Sequence, residues 1–225
     1  MRLLLVGHGR MGTLIEQLAP AHGCEIAAIA ELDRSIAEAA RQAGHVDVAI
    51  DFSLPEAAAD NLAALAALGI NVVIGTTGWQ AREADLHGIA SRAGIGVLAS
   101  ANFSLGMHVF AVVVEEAARR FAALEGVGAW IHETHHAGKK DAPSGTALML
   151  QSAMTGAGYT RTIDMASTRA GYAPGTHVIG FDGPAETVTL THAVRDRAVF
   201  AHGAIAAARW LKGRRGWFSM RDMIE

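Results

Sequence analysis

The chain has 225 residues, a net charge of −3 and a single cysteine, Cys24. That balance offers no field for nucleic acid, and one thiol excludes an intrachain disulfide and suits a reducing cytoplasm. An apolar fraction of 51% is too high for disorder, yet nowhere do eighteen uncharged apolar residues run together, so no transmembrane helix is expected.

The first hundred residues alternate short apolar runs with helical patterns. Leu3–Val6 predicts a buried strand, not the core of a signal peptide, because a glycine turn follows at once. Ile26–Ala30, Val46–Asp51, Asn71–Ile74 and Gly96–Ala99 predict four more strands, nearly uninterrupted by polar residues as a sheet covered on both faces requires. Helices are predicted over Met11–Ala19, Ser35–Gln42, Pro55–Leu68 and Ala81–Ala93, the third with Pro55 in its first position and Ser53 as its cap. This alternation predicts an α/β fold with a doubly wound parallel sheet.

After Asn102 the rhythm changes. Leu105–Leu124 predicts a long helix, Val127–Thr134 a strand, and Ser144–Met154 a helix capped by Ser144 directly after a proline. A Gly/Thr/Arg-rich stretch precedes two strand-like runs, Thr176–Ile179 and Glu186–Val194, and Phe200–Leu211 is helical again. Two domains sharing one chain, with the last helix returning to the first domain, is the economical organisation.

Gly7-His8-Gly9-Arg10-Met11-Gly12 is G-x-G-x-x-G between a strand and a helix. The first glycine permits the turn, the second lets backbone approach a pyrophosphate, and the third allows helix to pack on strand. The pyrophosphate would then sit at the positive end of the helix. Glu31 follows at the end of the second strand, where a carboxylate can accept hydrogen bonds from both ribose hydroxyls. Gly75-Thr76-Thr77-Gly78 and Ser100-Ala101-Asn102-Phe103-Ser104 occupy two further strand ends, the edge at which such sheets bind ligands.

Chemistry concentrates in Trp130–Leu148, WIHETHHAGKKDAPSGTAL. His132-Glu133-Thr134-His135-His136 matches H-E-x-x-H, which binds zinc only on a helix. The residues leading in favour a strand, and Gly138 and Pro143 leave no room for that helix, so a zinc hydrolase is the weaker alternative. The stronger reading is an acid/base and anion site. A histidine can donate a proton, Lys139 and Lys140 can hold an anion, and the N–H groups opening the helix at Ser144-Gly145-Thr146 can cradle a carboxylate. A non-catalytic dinucleotide-sensing module is a further alternative, but it would not need this cluster.

Glu133 to Ala147 resembles the E-x-H-H-x-x-K-x-D-x-P-S-G-T-A signature of the dihydrodipicolinate reductase family, matching at every fixed position. The glycine turn, Asp51-Phe52-Ser53, GTTG, ANFS and the closing FAHGAIAAARWL resemble that family in the same order. The resemblance implies a Rossmann-type dinucleotide-binding domain from residues 1–103 and 198–225. It also implies a substrate-binding and oligomerisation domain, 104–197, with an open mixed sheet. The implied activity is reduction of a small cyclic dicarboxylate by NADH or NADPH in the diaminopimelate route to lysine, by a cytoplasmic homotetramer that needs no metal, nucleic acid or membrane.

Residue by residue, the resemblance makes His135 the proton donor and Lys139 the second catalytic group. His136, Gly145 and Thr146 would bind substrate carboxylates. The cofactor would meet Gly7, Gly9, Arg10, Met11, Gly12, Glu31, Gly75, Thr76, Thr77, Ser100, Ala101, Asn102 and Phe103. Leu32 and Leu54 stand where some relatives carry an arginine that helps hold NADPH phosphates. With Glu31 nearby, this predicts that NADH serves at least as well as NADPH.

Overall fold

A computed structural model describes every residue except Leu32, whose expected part in coenzyme choice therefore lies outside the described residues. The chain divides into two compact units, Met1–Ser104 with Ala198–Glu225, and Leu105–Arg197.

The first unit starts with β1 (Arg2–Val6), α1 (Arg10–Leu18), β2 (Glu25–Ala30), α2 (Ile36–Ala43) and β3 (Val48–Asp51). It continues through α3 (Ala58–Ala67), β4 (Asn71–Ile74), α4 (Glu83–Ala93) and β5 (Gly96–Ala99). The second unit holds α5 (Leu105–Ala122), β6 (Gly128–His135), α6 (Gly145–Gly156), β7 (Ile163–Arg169), β8 (Thr176–Asp182) and β9 (Thr187–Ala193). The chain then returns to the first unit with α7 (Ala198–Leu211), β10 (Gly216–Phe218) and α8 (Met220–Ile224).

In the first unit six strands pair in the order β10-β5-β4-β3-β1-β2, all parallel. The order reverses at β1, whose neighbours are β2 and β3, so the crevice at its carboxyl end, where the glycine turn lies, is the topological switch point. The strands are buried as their unbroken apolar runs predict: Leu3, Leu4 and Val48 are inaccessible to solvent. Helix α7 packs through small residues, with Ala201, Gly203, Ala204, Ala207 and Ala208 buried. A Cβ at Gly203 would lie 1.7 Å from the Phe103 carbonyl oxygen, so no other residue lets this helix approach the loop after β5 so closely.

Two local expectations are corrected. Ser53 does not cap the helix after β3: a 3₁₀ turn, Pro55–Ala57, opens there without a side-chain cap, and the Ser53 hydroxyl accepts from Asn61 instead. Strands β7 and β10 were not expected. β7 reads Ile-Asp-Met-Ala-Ser-Thr-Arg, too polar to show an alternating apolar pattern, because it is an edge strand exposed over most of its length.

The second unit is a four-stranded mixed sheet, β7-β6-β8-β9, in which β6 runs parallel to β7 and antiparallel to β8. Ala129 and Ile131 of β6, Ile179 and Phe181 of β8, and one face each of α5 and α6 form its core. Arg161 closes the end of α5, donating to the Phe121 and Ala122 carbonyls, while Tyr159 and Arg161 both donate to the Val127 carbonyl. On the opposite face the Trp130 ring lies across Gly180, where a Cβ would come within 2.1 Å of the indole. That face also carries the exposed threonines Thr187, Thr189 and Thr191.

Candidate active site

In the first unit the three glycines of the turn do different work. Gly7 has φ of 85°, and a Cβ there would lie 2.8 Å from the Phe52 carbonyl oxygen. A Cβ at Gly12 would lie 2.4 Å from the Gly7 carbonyl oxygen, so the helix rests directly on the turn. Gly9 has open space where its Cβ would be, and it precedes α1 without a side-chain cap. The first N–H groups of α1 are therefore left for an outside acceptor beside a backbone with no side chain in the way. Arg10 is exposed and Met11 half-buried, at the same helix end.

Beside this turn lies a cavity of 580 Å³, within the range of small-molecule sites, lined by Gly7, Gly9, Glu31, Arg34, Ser53 and Leu54 among others. Glu31 is exposed at its rim and forms a two-hydrogen-bond bridge with Arg34 through backbone groups, while the Arg34 guanidinium donates to Gln42. These residues fit a dinucleotide: open backbone for the pyrophosphate, a carboxylate for a ribose, and an apolar pocket for the base.

The loops after β3, β4 and β5 are self-tied. Asp51, 1% exposed, accepts from the Ser53 amide, Asn61 Nδ2 and the Thr76 hydroxyl, at 2.8, 3.1 and 3.1 Å. Thr76 is thus engaged through its side chain, Thr77 is exposed, and a Cβ at Gly75 would strike the Phe52 ring. In the loop after β5 the Ser100 hydroxyl bonds both the carbonyl and the amide of Asn102, whose side chain accepts from the Ser104 amide. Ala101 is exposed, and Phe103 is buried against Phe52.

In the second unit the signature stretch is strand, loop and helix, as its composition predicts. His132 bonds Thr168 and alternates with Glu133, so it lies on the other face of the strand. The residues of H-E-x-x-H thus share no helix face, which removes the zinc-hydrolase geometry. Sheet register explains what gathers around the strand end. Glu133 pairs with Ser167 on β7 and His177 on β8, His177 pairs with His192 on β9, and His135 pairs with Arg169. The row is polar and buried: Glu133 is 0%, His177 3% and His135 8% exposed.

Glu133 Oε1 accepts from Arg169 at 2.6 Å, Ser167 Oγ at 2.7 Å and the Ser144 amide at 2.9 Å. Burial pushes this carboxyl up, but the bonds from Arg169, Ser144 and Ser167 outweigh it and hold the pKa at about 2. Burial lowers His135, partly offset by the Glu133 charge, and drives His177 down to about 4. Sequence reasoning places Glu133 in the acid/base stretch, on the same strand as His135, and assigns no role to Ser167, Arg169 or His177. Only the register, which no local motif reveals, brings them to His135.

His136 follows the strand, half-buried, with its amide bonded to the Ala173 carbonyl. Lys139 Nζ pairs with Asp141 at 2.7 Å, which holds that carboxyl below its usual range, whereas Lys140 is exposed. Ser144 caps α6 by accepting from the Ala147 amide, so the helix opens at Gly145 and Thr146 as expected. An acid, an amine and a helix N-terminus in one loop can serve an anionic substrate that takes up a proton.

Comparison with known proteins agrees with these features. Residues 1–103 match the family model described as dihydrodipicolinate reductase, N-terminus, and residues 106–224 the model for its C-terminus. The chain is 34% identical to a 4-hydroxy-tetrahydrodipicolinate reductase of Christiangramia forsetii, over 100% of this chain and 98% of that one. It is 37% identical to the enzyme of that name from Acidiphilium cryptum, over 96% and 94%. Its fold is similar to a dipicolinate-bound dihydrodipicolinate reductase from Paenisporosarcina sp. TG-14, with TM-score 0.79, 19% identity and 97% of each chain covered. A probable dehydrogenase from Thermotoga maritima shares the fold more distantly, with TM-score 0.64, 11% identity and 99% and 92% coverage.

Proposed function

The chain belongs to the dihydrodipicolinate reductase family, and from that premise we propose that it reduces 4-hydroxy-tetrahydrodipicolinate to tetrahydrodipicolinate at the expense of NADH or NADPH. It is an oxidoreductase of the diaminopimelate route to lysine. The observation that carries the reading is the signature stretch itself, folded so that His135, Lys139 and the start of α6 belong to one strand–loop–helix unit.

In this reading the first unit holds the dinucleotide and the second the dicarboxylate. Reduced nicotinamide, when bound, supplies the hydride. His135 gives the proton that completes reduction of the conjugated imine, a role worth on the order of 10²- to 10⁴-fold in rate. Lys139, its charge shared with Asp141 until an anion arrives, is the second catalytic group. His136 and the N–H groups of Gly145 and Thr146 bind the two carboxylates, whose spacing calls for separate partners. Glu31 accepts from the adenosine ribose and favours NADH, since a 2′-phosphate would meet its charge. The threonine-rich open face of the second sheet is the surface through which we infer a cytoplasmic homotetramer.

The test is a coupled assay with pyruvate, aspartate semialdehyde, dihydrodipicolinate synthase and this protein, following reduced-nicotinamide absorbance. Oxidation that depends on all four components is expected. An inert protein would overturn the reading.

A further inference from the structure

The chemistry above uses His135 but not the buried carboxylate beside it. The two oxygens of Glu133 have unequal surroundings. Oε1 takes three hydrogen bonds, from Arg169, Ser167 and the Ser144 amide, which fix the plane of the group. Among the described residues Oε2 has no hydrogen-bond partner, and it faces His135 Nδ1 at 3.4 Å and His177 Nε2 at 3.6 Å. His135 Nδ1 is buried and unpartnered as well. Two such atoms facing each other in the interior are resolved by one proton: an N–H on Nδ1 donates to Oε2 after a few tenths of an ångström of approach.

The other ring nitrogen has a different environment. A Cβ at Gly175 would come within 3.1 Å of His135 Nε2, so the lack of a side chain at Gly175 keeps that nitrogen uncovered. We propose that Glu133 is the positioning residue for His135: it holds the Nδ1–H, presents Nε2 as the proton-donating atom, and stabilises the imidazolium. This rests on the reading of His135 as the proton donor.

The step balances simply. After hydride addition from the reduced nicotinamide, the displaced electron pair on the substrate ring takes the proton from Nε2, the Nε2–H bond breaks, and His135 is left neutral with its Nδ1–H still on Glu133. A solvent proton restores it. Arg169, Ser167 and Ser144 keep Glu133 ionised, so it orients and stabilises without taking the proton itself. The charged and titratable neighbours are Glu133 on β6, Arg169 on β7, His177 on β8 with His192 beside it on β9, and Lys139 and Asp141 on the loop. Helix α6 contributes none, and the carboxylates and guanidiniums of α5 pair with one another.

The experiment is Glu133→Gln in the full chain, read as kcat and KM across pH. The expected result is a fall in kcat on the order of 10- to 100-fold, with KM for both substrates changed by less than about threefold. The basic limb of the kcat profile should also move to lower pH, because loss of the anion disfavours the imidazolium. An unchanged profile with normal kcat, or a loss confined to KM, would overturn the proposal.

Should the unpaired Arg169 prevent the variant from folding, nitrogen NMR of the wild type decides. His135 in its neutral form should carry its proton on Nδ1, and a proton on Nε2 would refute the contact. Glu133, His135 and His177 also offer three metal-donor atoms within 4.8 Å of one another. A stoichiometric metal that is retained through purification, and whose removal abolishes activity, would overturn the proposal as well. Wild-type inactivity in the coupled assay would sink the reductase reading and with it the proton-donor role of His135, whereas the contact of Glu133 with Nδ1–H stands or falls on the tautomer measurement by itself.

Discussion

The two candidate sites are built on opposite principles. In the first unit the proposed dinucleotide surface is made of what is missing: Gly9 leaves space, Gly7 and Gly12 let backbone touch backbone, and the cavity wall is largely apolar. In the second unit the proposed catalytic surface is made of what is packed in: a carboxylate, a guanidinium and imidazoles crowded into a sheet row and the loop beside it. A surface made of absences tolerates many neighbours but no added atom. A surface made of buried charge tolerates no lost partner, since each leaves another unpaired.

The sharpest division between them is His135→Ala. It should lower kcat by about 10²- to 10⁴-fold while nucleotide affinity, measured by fluorescence titration with NADH, stays near wild type. Parallel loss of both would mean the two surfaces are not separate.

The second concerns acid. His177 is buried neutral with a pKa of about 4, against about 6.5 in an unfolded chain. The unfolded state therefore binds the proton first as pH falls, so stability is lost between about pH 6.5 and 4, on the order of 3 kcal/mol. Glu133, depressed to about 2, adds a loss that begins below about pH 4.3. Urea unfolding of the wild type at pH 7, 5.5 and 4 should show the decline, and His177→Asn should flatten its upper part. A wild-type curve flat over that range would remove the buried-charge description of the second site.

A pair of glycine variants tests the other principle. Gly12→Ala should cost about 1–3 kcal/mol of stability, because its Cβ meets the Gly7 carbonyl. Gly9→Ala should leave the melting temperature nearly unchanged and weaken nucleotide binding. If the two variants exchanged effects, the assignment of packing to Gly12 and approach to Gly9 would be reversed. The smallest effect is coenzyme choice: Glu31→Ser should reduce kcat/KM for NADH about tenfold, or 1.4 kcal/mol, and spare NADPH. Wild-type preference for NADPH beyond that margin would remove Glu31 as the selecting residue.

This contrast also explains what could be read in advance. The first unit's strands are short apolar runs, and its first turn is a spacing of glycines, so both are local patterns. The signature stretch was equally visible, with its strand, loop and Ser144 cap. Arg169 and His177 were not, because they lie 34 and 42 residues from His135 in sequence and meet it only through the pairing of β7 and β8 with β6. β7 itself is a polar edge strand, and β10 has three residues, too few to show a period. Ser53 had the right chemistry for a cap, but Asn61 claimed its oxygen.

The pairing of β10 with β5 has a consequence for the order of assembly. Trp217 and Phe218 lie beside Val97 and Leu98, and Asn71 donates to the Leu211 and Arg214 carbonyls, so the sheet of the first unit is finished by residues more than a hundred positions downstream. A ribosome must add the whole of Leu105–Arg197 before this edge can close. Until then β5 presents an unpaired apolar edge, open to other nascent chains. The intervening unit, by contrast, is continuous in sequence and can complete its own sheet first. Pulse-labelled hydrogen exchange during refolding would show protection in β6 and β8 ahead of β5 if connectivity sets the order.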